Sequence, residues 1–166
     1  LLGLFGLGAV VATTRLLRRP TVAAPEQTVR LHVASAADVR QLLLAGRSAV
    51  EQGALAEAVA WFTQALAVQP TLSVAHFSKG VCLAGLGDHE GAYAALRAAY
   101  DLDPREGAVR LELARAAART GRGAEAMEAV GPLLALLPQL ADDVIEDDAF
   151  ANLRDHPRFL AMTGRL

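Results

Sequence analysis

The sequence predicts an all-α protein built from three copies of a 34-residue helix pair. Three prolines, Pro70, Pro104 and Pro138, stand 34 residues apart, and small residues recur with the same spacing. The composition is 53% hydrophobic but only 5% aromatic, which favours close-packed helices and excludes a disordered chain. A single helix pair cannot bury its own apolar stripe, so the copies must stack into an extended array. Such a surface favours binding over catalysis.

The first segment, residues 1–19, is predicted to be a single transmembrane anchor. It carries no charge from Leu1 to Thr14 and is apolar on every helical face, as a lipid-exposed helix must be. These 14 residues span about 21 Å as a helix, which is less than the roughly 30 Å hydrocarbon core. We therefore expect residues 1–17 to contact the lipid bilayer and the anchor to be incomplete at its N-terminus.

A cleaved signal peptide and a buried core helix are the alternatives for this segment. A signal peptide has its positive charges before the apolar run, whereas Arg15, Arg18 and Arg19 follow it. Three glycines between residues 3 and 8 would weaken a helix in water but are common in membrane helices. The basic flank predicts that the rest of the chain is cytoplasmic, or on the matrix side if the membrane is mitochondrial.

Residues 20–37 are predicted to be a linker, because Pro20, Pro25 and small polar residues leave no helical period. Within it, Val29, Leu31 and Val33 would share one side of an extended segment. An isolated strand is marginal in stability, so this stretch either pairs with a partner or lies along the repeats. A disordered spacer is the third possibility.

Residues 38–140 are predicted to hold the three units, 39–72, 73–106 and 107–140, each a helix, a glycine turn, a helix and a proline. Gly53, Gly87 and Gly121 recur between the helices, where a left-handed residue ends the first helix of each pair. Small residues recur at the predicted closest approach of the paired helices: Gly46, Gly80 and Ala114 on the first helix, and Ala58, Ala92 and Ala126 opposite them.

Capping residues agree with these boundaries. Ser35 and Asp38 predict the start of the first helix, and Asp88 predicts the start of the fourth. Asp103, Pro104 and Glu106 are expected at the N-cap, first and third positions of the fifth helix.

With these positions the chain resembles the tetratricopeptide repeat family. The family motif is held in the first unit by Leu42, Ala45, Gly46, Ala49, Ala58, Phe62, Ala65 and Pro70. The second unit has His76, Lys79, Gly80, Leu83, Ala92, Leu96, Ala99 and Pro104, and the third has Arg110, Leu113, Ala114, Ala117, Ala126, Val130, Leu133 and Pro138. The resemblance implies a right-handed superhelix. His76, Lys79 and Arg110 stand at usually apolar places, which suggests looser packing or a surface that a partner covers.

The resemblance also implies a concave groove lined by the first helix of each unit. The residues expected to line it are Arg40, Leu43, Arg47, Val50, Val74, Phe77, Val81, Leu111, Arg115 and Arg119. This set suits an apolar or amphipathic protein segment with some negative charge, although the linker or the tail of the chain itself would fit equally well. Chaperone adaptors of the family bind a terminal carboxylate with Lys and Asn at places held here by Leu43 and Arg47, so that clamp is absent.

Residues 141–166 are predicted to be an acidic C-terminal cap of the array. Phe150, Leu153, Phe159 and Leu160 would cover the last helix, while the acidic run from Asp142 to Asp148 would form a solvated outer face. A calcium site is disfavoured because the run lacks the glycine-containing loop of known calcium motifs.

The rest of the sequence argues against chemistry. The single cysteine, Cys82, excludes an intrachain disulfide, and neither a catalytic set nor a metal-ligand spacing is present. A net charge of −2 without a basic face disfavours nucleic acid. We therefore expect no enzyme and no cofactor, but a membrane-anchored scaffold or accessory subunit that binds other subunits of a membrane complex. An anchored receptor for peptide signals or chaperone tails is the alternative.

Overall fold

The computed structural model describes residues 36–165, which fold as an array of helix pairs closed by a smaller helical segment. The pairs are α1 (Ala36–Glu51) with α2 (Leu55–Val68), α3 (Ser73–Gly85) with α4 (His89–Leu102), and α5 (Gly107–Arg119) with α6 (Gly123–Leu136). Each pair also packs on the next, through α2 with α3 and α4 with α5. The all-helical prediction is confirmed.

The predicted anchor, 1–19, lies outside the described residues, as does the predicted linker up to residue 35. Within residues 36–165, none of the helices combines the length and the apolar character that crossing a membrane requires.

A left-handed glycine ends the first helix of each pair, as the sequence predicts. The φ angles of Gly53, Gly87 and Gly121 are 75°, 81° and 77°. The residue after each glycine donates its backbone N–H to a carbonyl five residues earlier, and for Asp88 this bond to Leu83 O measures 2.9 Å. This geometry is the Schellman motif, which satisfies the last carbonyls of the helix.

Small residues bring the two helices of a pair together. A Cβ added to Gly46 would lie 2.6 Å from Phe62 Cε1, and one added to Gly80 would lie 2.6 Å from Leu96 Cγ. Ala58, Ala92 and Ala126, the predicted opposite positions, have no exposed surface. Because a larger side chain at any of these positions would separate the helices, residue size limits this contact.

The predicted cap of α5 is wrong, whereas that of α4 is confirmed. Asp88 Oδ1 accepts a bond of 2.9 Å from Gly91 N. Asp103, however, still donates its own N–H to Ala99 O of α4, and α5 begins at Gly107 with Glu106 as N-cap. The chain needs the residues between them to cross from one pair to the next, so the helix cannot start at Pro104.

Two of the three polar residues at usually apolar motif positions contact the backbone carbonyl of a repeat proline. His76 Nε2 lies 2.9 Å from Pro70 O, and Arg110 Nε donates to Pro104 O at 2.8 Å. Arg110 also covers the ring of Tyr100 at 5.2 Å. Each of these side chains therefore connects its helix to the loop that precedes it. These contacts account for His76 and Arg110, two of the three departures from the motif, without a surface that a partner covers.

The C-terminal segment covers the third pair. It contains 3-10 turns at Pro138–Leu140 and Asp148–Leu153, α7 (Ala141–Glu146) and α8 (Pro157–Met162). Phe150 and Phe159 are fully buried and stack with their centroids 5.8 Å apart, and Leu153 is buried beside them, while Leu160 is half-buried. Most acidic side chains of this segment are exposed, but Asp147 turns inward and is described below.

Candidate protein-binding groove

Two adjoining cavities on the first helices of the first two pairs form one groove. One, of about 240 Å³, is lined by Arg40, Leu43, Leu44, Arg47, Phe62, Val74 and Ser78. The other, of about 310 Å³, shares Arg47, Phe62 and Ser78 and adds Val50, Glu51, Phe77, Val81, Cys82 and Glu112. Helical spacing places these residues together, since α1 and α3 each present one face to the cavity.

The groove exposes aliphatic side chains to solvent. Leu44, Val74, Val50 and Val81 are 56%, 52%, 40% and 39% exposed. Together they make up four of the seven large hydrophobic residues exposed among residues 36–165. Exposed apolar residues that gather in one concavity mark an interaction surface, whereas scattered ones need no explanation.

Two cations border this apolar surface. Arg40 and Arg47 are exposed, and no ion pair between described residues involves either of them. No carboxylate within residues 36–165 therefore competes with an acidic group of a ligand for either arginine. Glu51 and Glu112 stand at the other end, so the groove is basic at one end and mixed in charge at the other.

The third pair contributes Glu112 to the groove but none of the three residues that the sequence predicts for it. Leu111 is half-buried against the core, and Arg119 lines neither cavity. Arg115 is held by two carboxylates: its Nη1 lies 2.6 Å from Glu112 Oε1, and its Nε donates to Asp147 Oδ2 at 2.5 Å. Arg115 is consequently occupied by the C-terminal segment.

Burial and hydrogen bonding oppose each other at this ion pair. Burial lowers the pKa of Arg115, but the bonds to Asp147 and Glu112 outweigh it and raise that pKa above its ordinary value. For Asp147, burial raises the pKa, yet the N–H of Ala149 and the guanidinium of Arg115 lower it below the ordinary value. Both groups are therefore held in their charged forms.

Of the ten predicted groove residues, the structure brings seven together and leaves Leu111, Arg115 and Arg119 apart. Sequence reasoning missed Leu44 and Ser78, although each follows a predicted groove residue directly along its helix. It also missed Glu51, which lies eleven residues after Arg40 and hence on the same helical face. Glu112 is placed at the groove by α5, and only the stacking of the pairs brings it there.

Nothing in the described region suggests a metal centre. Within residues 36–165 there is no group of three His, Cys, Asp or Glu side chains arranged to hold an ion. Cys82 is buried, and burial raises the pKa of its thiol, so it is a poor nucleophile.

Several solved structures share this fold. MamA aligns with a TM-score of 0.64 at 17% identity, covering 77% of this chain and 75% of that one. The first repeat domain of Spaghetti (RPAP3), bound to the HSP90 peptide SRMEEVD, gives 0.59 at 16% identity over 74% and 92%. The translocator chaperone SycD of Yersinia enterocolitica gives 0.57 at 17% over 79% and 96%. At these identities the likeness concerns the fold.

Sequence comparison gives the family. No curated protein sequence matches this chain. Two family models do match, both of the tetratricopeptide repeat, one over residues 43–106 and the other over residues 83–144. These spans overlap and include the three glycine turns, α3 and the part of α1 from residue 43 onwards. Residues 43–144 of this chain are therefore tetratricopeptide repeats.

Proposed function

We propose that this protein is a non-catalytic, membrane-anchored scaffold or accessory subunit that binds an apolar segment of another protein in its groove. The observation that carries this proposal is the cluster of exposed Leu44, Val50, Val74 and Val81 beside Arg40 and Arg47, neither of which forms an ion pair with another described residue. Burying aliphatic side chains contributes roughly 25 cal/mol per Å² of apolar surface removed from water. A ligand that covers these four residues would therefore gain binding free energy from their burial. The predicted anchor of residues 1–19 would hold the groove next to a membrane complex.

The charge at the edge of the groove defines the ligand further. A segment with apolar side chains along one face and an acidic group near one end would match Arg40 and Arg47. The first two pairs supply nearly all of the groove, and of the third pair only Glu112 lines it. A short segment therefore suffices to fill it.

The test is purification of the full chain from its native membrane in mild detergent, as wild type and as Val81→Asp. Leu102→Asp is the matched control, since Leu102 is 41% exposed but does not line the groove. We expect wild type and control to bring down the same proteins in fixed stoichiometry, and Val81→Asp to lose them. A wild type that purifies alone would contradict the proposal, as would equal retention by both variants.

A receptor that binds peptide signals or chaperone tails transiently is the second candidate. It is favoured by one likeness, because the structurally similar Spaghetti domain is bound to an acidic peptide of HSP90. The two functions differ in the lifetime of the complex, since a subunit stays bound to its partners through purification, whereas a receptor exchanges its ligand. Binding that is detected only with peptide in excess, and that falls steeply with salt, would favour the receptor.

A further inference from the structure

The third helix pair has a cavity of its own, where the start of α5 meets the end of α6. This third-pair cavity has a volume of about 390 Å³ and shares no lining residue with the groove. It is lined by Arg105, Gly107, Arg110, Pro132, Leu133, Leu136 and Leu137. Leu136 is 77% exposed, more than any other large hydrophobic residue within residues 36–165. A single exposed leucine needs no explanation, but one that borders an apolar cavity provides a contact surface.

The second pair closes the equivalent place with a hydrogen bond. Ser73, 34 residues before Gly107, donates its hydroxyl to Ala99 O at 3.3 Å and so joins the start of α3 to the end of α4. Gly107 has no side chain that could form this bond. A Cβ at Gly107 would lie 3.4 Å from Leu133 Cδ1, which is an ordinary contact distance. Unlike Gly80, Gly107 is therefore not required by close packing, and its missing side chain leaves the cavity open.

The C-terminal segment packs on a different face of α6. Pro132 and Leu136 are four residues apart, so they share one face of the helix, and both are exposed. The segment instead contacts the helix at Gly131, where an added Cβ would lie 3.0 Å from Met162 Cε. The cap of the array therefore leaves the face with Pro132 and Leu136 uncovered.

Two arginines give the third-pair cavity a positive edge. No ion pair between described residues involves Arg105 or Arg110. The guanidinium of Arg110 is held in place, because its Nε donates to Pro104 O at 2.8 Å and its Cζ lies 5.2 Å from the centroid of the Tyr100 ring. Arg110 is thus positioned at the cavity without a carboxylate among the described residues.

The acidic residues of the same loop bind backbone groups instead. Asp103 Oδ1 accepts a bond of 3.2 Å from the N–H of Arg105, and Glu106 Oε1 accepts one of 3.4 Å from the N–H of Ala108. These bonds direct both carboxylates to the backbone rather than to the two guanidinium groups. A carboxylate that pairs with the arginines would have to come from a ligand.

We propose that the third-pair cavity binds an acidic segment of a partner protein, which places a large apolar side chain against Leu136 and a carboxylate beside Arg105 and Arg110. The leucines and Pro132 supply apolar surface for burial, and the arginines supply charge-assisted hydrogen bonds. The site lies outside the groove, so the protein binds partner segments at two separate surfaces. This proposal does not depend on what occupies the groove.

The experiment titrates the full chain, with its leucine methyl groups labelled with ¹³C, and follows them by NMR. The probe is the peptide Gly-Glu-Leu-Leu-Glu-Gly, and the control peptide has glutamine in place of both glutamates. The methyl signals of Leu136 and Leu137 report on the third-pair cavity, while those of Leu43 and Leu44 report on the groove. We expect the Leu136 and Leu137 signals to shift to saturation, with a Kd about ten-fold lower for the acidic peptide than for the control.

Arg105→Glu is the variant to compare, because Arg105 is exposed and its side chain can change without disturbing the core. It should raise the Kd measured at Leu136 about ten-fold. Arg158→Glu is the matched control, since Arg158 is also exposed, takes part in no ion pair between described residues and does not line the cavity. It should leave the Kd at the wild-type value.

Shifts confined to Leu43 and Leu44 would overturn this proposal while supporting the groove. Equal affinity for the two peptides would also overturn it, and so would equal weakening by Arg105→Glu and Arg158→Glu. If the Leu136 signal responds to vesicles of phosphatidylserine but not to the peptide, the surface contacts a membrane rather than a protein segment, which overturns it as well.

Discussion

Gly80 and Leu96 approach so closely that a Cβ on Gly80 would lie 2.6 Å from Leu96 Cγ. The first pair repeats this contact with Gly46 and Phe62, at the same sequence separation. The third pair instead has Ala114 and Val130, both fully buried. Where alanine replaces glycine on the first helix, the smaller valine replaces leucine or phenylalanine on the second. The two side chains therefore share a limited volume between the helices, as close packing requires.

The first prediction exchanges one version of this contact for the other. Gly80→Ala should destabilise the fold, because overpacking costs about 1–3 kcal/mol and exceeds the gain of ~1 kcal/mol in helix propensity. In a Leu96→Val background the same change should be neutral or stabilising, since it recreates the pair of Ala114 and Val130. Urea unfolding of the four proteins in the cycle measures the coupling. Additive free energies would show that the two side chains do not limit each other.

The second prediction concerns pH. The pKa of Asp147 in the folded protein lies below its ordinary value of 3.8, so the ion pair with Arg115 contributes stability above that value and loses it as pH falls through the folded pKa. Asp147→Asn should reduce the free energy of unfolding at neutral pH by about 1 kcal/mol. The loss is no larger than this because the Arg115 side chain is 34% exposed, so that solvent screens the ion pair. The difference between the two proteins should shrink with acid.

Asp142→Asn is the control for this measurement, because Asp142 pairs with Arg165 at the surface, where both side chains are exposed. It should change the stability little at any pH. A gap between wild type and Asp147→Asn that stays constant down to low pH would contradict the assignment. Arg115→Glu should destabilise more than either, because it places like charges beside Asp147 and Glu112.

The third prediction tests the bond that ties Arg110 to the preceding proline. Arg110→Ala removes the bond from Nε to Pro104 O and the contact with Tyr100, and should cost about 1 kcal/mol in unfolding free energy. Arg105→Ala removes an exposed arginine from the same link and should cost less. The melting temperatures of both variants test this prediction. Equal shifts in melting temperature would show that Arg110→Ala destabilises the fold only by removing a charge.

The fourth prediction separates the arginines of the groove from those outside it. If a ligand carries an acidic group, Arg47→Glu should weaken its binding about ten-fold, since it removes an attraction and adds a repulsion. Arg119→Glu should have little effect, because Arg119 lines neither groove cavity. Titration with the partner segment identified by purification provides the measurement, with salt added to screen the difference. Equal weakening by both variants would mean that Arg119 contributes to binding as much as Arg47 does.

Seven of the ten predicted groove residues lie together for a physical reason. Val50, Val74 and Val81 were found from helical spacing, because every helix of one pitch presents the same face. Arg115 follows that spacing too, yet it does not serve the groove. Its partner Asp147 is 32 residues away and belongs to a segment outside the repeat, so no period in the sequence reveals the contact. The cap of α5 was missed because the sequence does not show that Asp103 still belongs to the hydrogen bonding of α4.

By itself the sequence determined the three helix pairs, their glycine turns and the small residues between the helices. These features meet local requirements: Gly87 needs a positive φ, and Gly80 has no room for a side chain. The same requirements recur at the equivalent positions of the other units. Only the tertiary structure decided which side chains remain available. Within residues 36–165 Arg47 has no ion-pair partner, whereas Arg115 is paired, because the C-terminal segment folds back onto the third pair and supplies Asp147 there. Whether a charge is free depends on what the rest of the chain places within a few ångströms of it.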